Sequence, residues 1–539
     1  MEKKQKKIVI IFSILIGIFT IGIVGKTFQN DTFFNISIGK YILENGIDMK
    51  EHFSWIQGLT YTYSHWAFDI IMYLIYNNFG FTGIYISIIL FSILINIVLF
   101  NLLTKRGKQP VIAFIITLIS AYIIRSCYTA RSQIVSFLCF IVEIYCIEKF
   151  IETNKKRYAV LLIVLSIIVA NFHAATWPMY LVLFLPYFAS AFFNFISPKN
   201  RYVLLKKRYQ NKLKNVPKDS KKARKYEIKV NYYADILEKI EPPKYEKMVR
   251  RESYNIKNLV ILFVIICFTG LITPIHDTPY TYVIKSMFGE SNFENNASVD
   301  FIMEMQPITP AYSTDLVVFL IILLAFLIFM PTKLKLEQGF LILGLLLMTI
   351  ISARYVYLLV FLGSYVLMDL IAQCIAKFIP EDMQKLENIL VSKKGIIILS
   401  ILIILFVLPK FLEIIVEDYV DEELYPVGAV EYIKENLDYK NMRIYNSYNN
   451  GSYLMLNEIP VFIDSRLDVY CSEFNDTDVF YDFTQVSLGK VNYEDVFKKY
   501  DFTHILIYNT DIIYNYIKLD HNYKVLYEDE NFTLYERNV

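Results

Sequence analysis

What most constrains this chain is the length of its uninterrupted apolar runs. A helix crosses the hydrocarbon core of a bilayer in roughly 17–25 mostly apolar residues. Runs of that kind stand at 8–25, 82–103, 110–124, 132–150, 158–171, 178–197, 257–275, 313–331, 338–351, 355–372 and 395–412. Eleven such runs predict a polytopic α-helical membrane protein. The composition agrees: 55% hydrophobic and 20% charged residues, against roughly 45–50% and about 25% in soluble domains. Disorder and a purely soluble enzyme are excluded. The runs 158–171 and 338–351 are short, and read as tilted, broken or re-entrant helices. The first run follows MEKKQKK and no small-residue cleavage site comes after it, so it reads as an anchor.

Charge then predicts sidedness, because Lys and Arg stay on the cytoplasmic side. With the N-terminus inside, the inner segments are 1–7, 104–109, 151–157, 198–256, 332–337 and 373–394, with clusters such as Lys105-Arg106-Gly107-Lys108 and Lys155-Lys156-Arg157. The outer segments 26–81, 125–131, 276–312 and 352–354 hold only scattered basic residues. The odd number of runs puts everything after 412 outside the cell. The basic insertion 198–256 is expected to be a cytoplasmic helical hairpin lying on anionic headgroups, since both ends are tied to the membrane. Binding of nucleic acid is the lesser alternative.

The tail 413–539 has another texture. Short β-rich runs (Arg443–Asn446, Val461–Asp464, His504–Tyr508, Lys524–Tyr527, Phe532–Tyr535) alternate with helical stretches (Val427–Asn436, Tyr493–Lys499, Asp511–Lys518). That order predicts a small extracytoplasmic α/β domain. Six Cys without a CxxC pair predict neither a disulfide framework nor a zinc site, and no residue set supports a divalent metal or other cofactor.

Chemistry is expected where polar residues intrude among apolar helices on the outer side. Asp31 opens an amphipathic helix directly after the first run, as an N-cap, a catalytic base or both. A second interfacial helix follows, in which Asp69 lies one turn from His65; the pair is either part of a site or a helix-surface contact. Arg125 and Arg131 flank a very short outer turn, with Gln133 entering the next run. His173, in Asn171-Phe-His173, interrupts the apolar sequence, and Arg354 sits between two apolar runs with no acid nearby in sequence. An arginine at membrane depth needs an anionic partner; snorkelling to lipid phosphate is the alternative, chiefly for Arg125. The loop 276–312 carries His276, Asp277, Glu290, Glu294, Asp300 and Glu304.

Seven short pieces then occur in one order along nearly the whole chain: DTFFNISIG (31–39), WAFD (66–69), RSQ (131–133), NFHA (171–174), IMEMQP (302–307), NSYNNGSYL (446–454) and IDSRLDVY (463–470). In these pieces and in its layout the chain resembles the GT-C class of membrane glycosyltransferases, and within it a bacterial family with an extracytoplasmic tail. It departs from that family's pattern at Asn35, where His is usual, and at Ser132, Ala174 and Met305, which stand for Pro, Gly and Trp. The resemblance implies a polyprenyl-phosphate-sugar donor, a glycan, lipid or protein acceptor, and inverting transfer on the outer face. Asp31 would be the general base. Arg354, Arg131 and Arg125 would meet the phosphate, and Gln133, His173, Asp69 and Glu304 would line the substrate site. Asp464, Arg466 and Asp468 are expected to form an ion-pair lattice at a strand end that serves the fold. A lipid or glycan transporter and a non-catalytic envelope scaffold are the competing readings. The absence of two related halves speaks against transport.

Overall fold

Each apolar run folds as helix in a computed structural model, which describes residues 2–196, 198–217, 220–239, 248–249, 256–288, 302–308 and 314–538. Helix α1 (Glu2–Ile21) leads to α2 (Asn30–Asn45), which lies against the start of α3 (Trp66–Gly107). The contact is close enough that a Cβ on Gly39 would stand 2.0 Å from the carbonyl oxygen of Asp69. Only glycine fits there. Within α3 the chain turns at Gly80, with φ 61° and ψ −159°, a region glycine reaches without steric cost. The turn separates the interfacial helix from the apolar run 82–103.

The bundle continues with α4 (Pro110–Ile123), α5 (Gln133–Thr153) and α6 (Lys156–Phe172). The run 178–197 is not one helix but two, α7 (Trp177–Val182) and α8 (Leu185–Ile196). Pro186 supplies no amide hydrogen for the carbonyl of Val182, the last residue of α7, and the break falls between them at Leu183–Phe184. Next come the basic helices α9 (Pro198–Lys214) and α10 (Lys221–Lys239), strand β1 (Met248–Val249), α11 (Ile256–Cys267) and α12 (Thr278–Phe288). After them stand α13 (Thr314–Ile328), strand β2 (Leu334–Lys335), α14 (Leu336–Ile351), α15 (Val356–Phe378), α16 (Pro380–Leu390) and α17 (Lys393–Val416). The short runs 158–171 and 338–351 are unbroken helices, α6 and α14. Among the described residues four helical stretches, Trp66–Gly107, Ala174–Phe195, Ala353–Phe378 and Lys393–Val416, are by length and composition alone sufficient to cross a membrane.

The tail is a small α/β unit: α18 (Val427–Asn436), β3 (Ile444–Asn446), α19 (Tyr448–Leu456), α20 (Leu467–Tyr470), α21 (Val479–Ser487), α22 (Tyr493–Tyr500), β4 (His504–Tyr508), α23 (Tyr514–Ile517), β5 (Tyr523–Glu528) and β6 (Phe532–Arg537). The sheet order is β3-β4-β6-β5, with β3 parallel to β4 and the other pairs antiparallel. Successive residues of β4 face opposite sides. Ile505 and Ile507 join Tyr445, Phe462 and Phe497 on one face, and Leu506 joins Ile433 and Leu454 on the other.

Two expectations for the tail are corrected. Val461–Asp464 is not a strand; its only β contact among the described residues is a single bridge from Val461 to Ser54. Asn446 takes over its backbone instead, donating to the Ile463 carbonyl at 2.7 Å and accepting from the Phe462 amide at 2.9 Å. The helix expected over Asp511–Lys518 shrinks to Tyr514–Ile517. The motif segments 446–454 and 463–470 hold two helices, α19 and α20. They meet so closely that a Cβ on Gly451 would lie 1.9 Å from the Ile463 carbonyl oxygen.

The tail rests on the first outer loop. Lys40 pairs with Glu458 at 2.7 Å, Trp55 donates its indole N–H to the Ile444 carbonyl at 3.1 Å, and Ser54 donates to the Val461 carbonyl at 2.9 Å.

Candidate active site

Between the bundle and the tail lies a cavity of about 920 Å³. Six of the seven sequence pieces reach it: Asp31, Arg131 with Gln133, His173, Glu304, Tyr448 with Asn449, and Arg466 with Asp468 all line it, together with Arg354. The WAFD piece does not. Its neighbour His65 does.

At the centre is a chain of alternating charges. Arg131 Nε meets Asp31 Oδ2 at 2.5 Å and its Nη1 meets Glu304 Oε1 at 2.5 Å; Glu304 Oε2 lies 3.8 Å from Arg354 Nε. Asp31 is not the N-cap of α2. Gln29 holds that position without a side-chain cap, and Asp31 sits in the first turn, where a carboxylate favours the helix dipole. Its carboxylate is also not freely exposed, being ion-paired to Arg131 with 21% of the side chain accessible. Glu304 is delivered by a short turn, Met303–Met305, pinned to the turn that carries Arg354. Ser352 donates to the Glu304 carbonyl at 3.0 Å, and the Ala353 amide donates to the Gln306 carbonyl at 3.0 Å. Burial opposes ionisation of Glu304, but Arg131 and Arg354 outweigh it and hold its carboxyl below the usual range. Arg354 is the looser cation, with 43% of its side chain exposed against 22% for Arg131.

Two histidines stand beside this chain, their rings 5.4 Å apart. Burial, aided by Arg131, pushes His65 down to about 4. Burial, with His65 and the two arginines, lowers His173 well below the usual imidazole value. Both are neutral at physiological pH, so they offer hydrogen bonds and no charge. His173 Nδ1 lies 3.0 Å from the Ser136 hydroxyl.

The tail closes the cavity with a buried clasp. Arg466 is bonded to Glu51 at 2.5 and 2.9 Å and to Asp464 at 2.8 and 2.6 Å, and Tyr470 donates to Asp464 at 2.6 Å. Of the expected lattice the Asp464–Arg466 pair is present, at a loop and not a strand end, and through Glu51 it ties the tail to the first outer loop. Asp468 belongs to a separate contact, accepting from Thr62 at 2.6 Å. Burial pushes its carboxyl up to about 6, against the Thr62 hydrogen bond and Arg466.

Two candidates lie elsewhere. Arg125 does not line the cavity; it pairs with Asp315 at 3.0 Å and stacks on Tyr122. Asp69 is fully buried behind the lining, its carboxylate oxygens without hydrogen-bond partners among the described residues. Glu290, Glu294 and Asp300 lie outside the described residues, and His276 and Asp277 do not reach the cavity. Sequence reasoning missed Glu51, and also Tyr61, Tyr282 and Tyr508, which give the walls aromatic faces. None of these residues carries a local sign of the distant residues it meets. Among the described residues no group of three or more His, Cys, Asp or Glu side chains is arranged to hold a metal ion.

Neither a protein-family model nor a curated protein sequence matches this chain. Solved structures do. The archaeal oligosaccharyltransferase AglB from Archaeoglobus fulgidus, in complex with an inhibitory peptide and a dolichol-phosphate, superposes with a TM-score of 0.54 at 10% identity, over 93% of this chain and 69% of that one. The Archaeoglobus fulgidus oligosaccharyltransferase tethered to an acceptor peptide gives 0.52 at 10% identity over the same shares. ArnT from Cupriavidus metallidurans, bound to undecaprenyl phosphate, gives 0.46 at 8% identity over 98% of both chains. At this identity the likeness to the two oligosaccharyltransferase structures is one of fold: the chain is a polytopic helical membrane protein that shares their GT-C fold.

Proposed function

We propose that this protein is a membrane glycosyltransferase that moves a sugar from a polyprenyl-phosphate-linked donor to an acceptor hydroxyl on a glycan, lipid or protein. The observation that carries the reading is the convergence of six separate sequence pieces on one cavity, centred on the chain Asp31–Arg131–Glu304–Arg354. The AglB structure was solved with a dolichol-phosphate, which supports a lipid phosphate in a site of this fold.

In this reading Asp31 Oδ1 takes the proton of the acceptor hydroxyl, leaving Oδ2 on Arg131. The acceptor oxygen attacks the anomeric carbon from the face opposite the phosphate, and the bond from that carbon to the phosphate oxygen breaks. The electron pair leaves with the lipid phosphate, and the single displacement inverts the anomeric centre. Arg354 meets the phosphate, because its contact with Glu304 is long and guanidinium suits phosphate oxygens. Arg131, already neutralised by two carboxylates, orients Asp31. Neutral His65 and His173 and the tyrosines of the walls hydrogen-bond and stack on the sugar.

The N-terminus is cytoplasmic and the tail, 413–539, extracytoplasmic, so that the bundle 1–412 opens its cavity outward and the tail covers the acceptor side. The reading is tested by transfer of labelled sugar from a panel of polyprenyl-phosphate donors in membranes containing the protein. Transfer that depends on the protein and on Asp31 is expected; no transfer from any lipid-linked donor rejects it.

A further inference from the structure

Helices α9 and α10 carry thirteen Lys and Arg against three Asp and Glu. They are held together by a tyrosine seam and not by an apolar core. Tyr209 meets Tyr226 and Tyr233 with ring centroids 5.9 Å apart in each case, and Lys229 donates to the Tyr209 hydroxyl at 3.0 Å. Using the tyrosines inside leaves aliphatic side chains outside: Val203 and Leu204 on α9 are 43% and 51% exposed, and Ile228 on α10 is 64% exposed. These stand on the basic faces. Leu204 is one turn from Arg208, and Ile228 is one turn from Arg224 and Lys225, on the spacing that makes helix neighbours.

The hairpin also starts at the membrane. It follows α8 with one intervening residue, and α8 is fixed to the base of α14 by the Ser190 hydroxyl bonded to Glu337 at 3.0 Å and by Phe193 against Phe340. Its return, β1, pairs with β2 directly before α14. That is the end of the bundle opposite the cavity, since α14 runs from there to the turn carrying Arg354.

We propose that the α9–α10 hairpin is a membrane-surface dock that binds the anionic headgroups of the adjacent leaflet, with Leu204 and Ile228 entering the acyl boundary between the basic side chains. Charge complementarity selects the occupant. A face with a large excess of positive charge and exposed aliphatic residues, tethered at both ends to the bilayer, meets anionic lipid at high effective concentration. A polyanion in solution would match the charge and leave the aliphatic residues in water.

The test uses the full-length protein with Ile228→Trp in nanodiscs whose acyl chains carry bromine, with emission of the unmodified chain subtracted. In phosphatidylcholine mixed with phosphatidylglycerol, quenching of the added tryptophan should be about two-fold or more above that in phosphatidylcholine alone. Raised salt should abolish the difference, and so should Lys221, Lys222, Arg224 and Lys225 all changed to Gln. The salt titration stands by itself if that variant does not fold. Equal quenching with and without the anionic lipid would overturn the proposal. So would no quenching in either, including the case in which the hairpin instead binds RNA in a salt-sensitive way.

Discussion

At opposite ends of α5 stand two arginines that each hold two carboxylates. Arg131, just before the helix, meets Asp31 and Glu304; Arg106 meets Glu148, near the helix's other end, and Asp369. Gln133 and Glu148 are separated along α5 by roughly 22 Å at 1.5 Å per residue. The two clusters have the same composition and opposite character. Around Arg106 both carboxylates take further donors and the guanidinium lies on an aromatic face. Tyr365 lies under the guanidinium at 3.8 Å and donates to Glu148 at 3.0 Å, and Gln338 donates to Asp369 at 2.7 Å. Around Arg131 the chain of charges runs on to Arg354 and opens into the cavity. Side-chain exposures of 9, 5 and 19% at the Arg106 cluster against 22, 21 and 38% at the Arg131 cluster state the same difference. An arginine at membrane depth is therefore informative only together with what closes it off. A filled shell braces helices, and an open one awaits a ligand.

The largest effect should follow from breaking the closed cluster. Arg106→Ala leaves two buried carboxylates facing each other, which typically costs roughly 3–5 kcal/mol. Thermal unfolding in detergent should show a large loss of stability; an unchanged midpoint would mean that the cluster does not brace α3, α5 and α15.

The open cluster should respond in the other currency. Arg354→Ala should lower turnover by about 10²–10³-fold, the range typical of losing a charge-stabilising donor, with little change in the unfolding midpoint. Arg354→Lys should be impaired as well, because an ammonium does not reproduce the planar fork. A variant that unfolds early while retaining normal turnover per folded molecule would reverse the assignment of the two clusters.

A third, smaller effect sharpens the contrast at the tail's contact with the first outer loop. Asp468 is raised from 3.8 to about 6 by burial, so its ionisation is disfavoured in the folded state. Stability is then fully present below about pH 4 and is lost progressively as pH rises through about 6, by about 3 kcal/mol at one unit per 1.36 kcal/mol. Asp468→Asn keeps an acceptor for Thr62 and removes the titration. The difference in unfolding free energy between it and the parent should grow from pH 4 to pH 6 and then level. A difference that does not change with pH would contradict the assignment.

Much of this was legible in the sequence, for particular reasons. The helices announce themselves by apolar length, and β4 by a short run of β-branched and aromatic residues. Asp31, Arg131, His173 and Arg354 stand out because each is a polar residue at the end of an apolar run or between two, whereas Glu304 is one acid among several in a polar loop and is marked only by the IMEMQP piece; all five reach one cavity. What was not legible depends on partners far apart in the chain. Arg466 and Glu51 are 415 residues apart, and nothing near Glu51 marks it as half of a buried pair. Val461–Asp464 has strand composition, but the side chain of Asn446 claims its backbone. Arg125 and Arg131 flank one turn and look alike in sequence, yet Asp315 draws Arg125 away from the cavity.

The central claim, that the open cluster is a catalytic site built on Asp31, is tested most directly by Asp31→Asn. The asparagine keeps the size of the side chain and a carbonyl oxygen for Arg131, and it removes the proton acceptor. General base catalysis typically contributes 10²–10⁴-fold. Transfer of labelled sugar from a polyprenyl-phosphate donor should fall by about that factor in membranes holding matched amounts of parent and variant, with the unfolding midpoint nearly unchanged. Near-normal transfer by the Asp31→Asn protein would contradict the account.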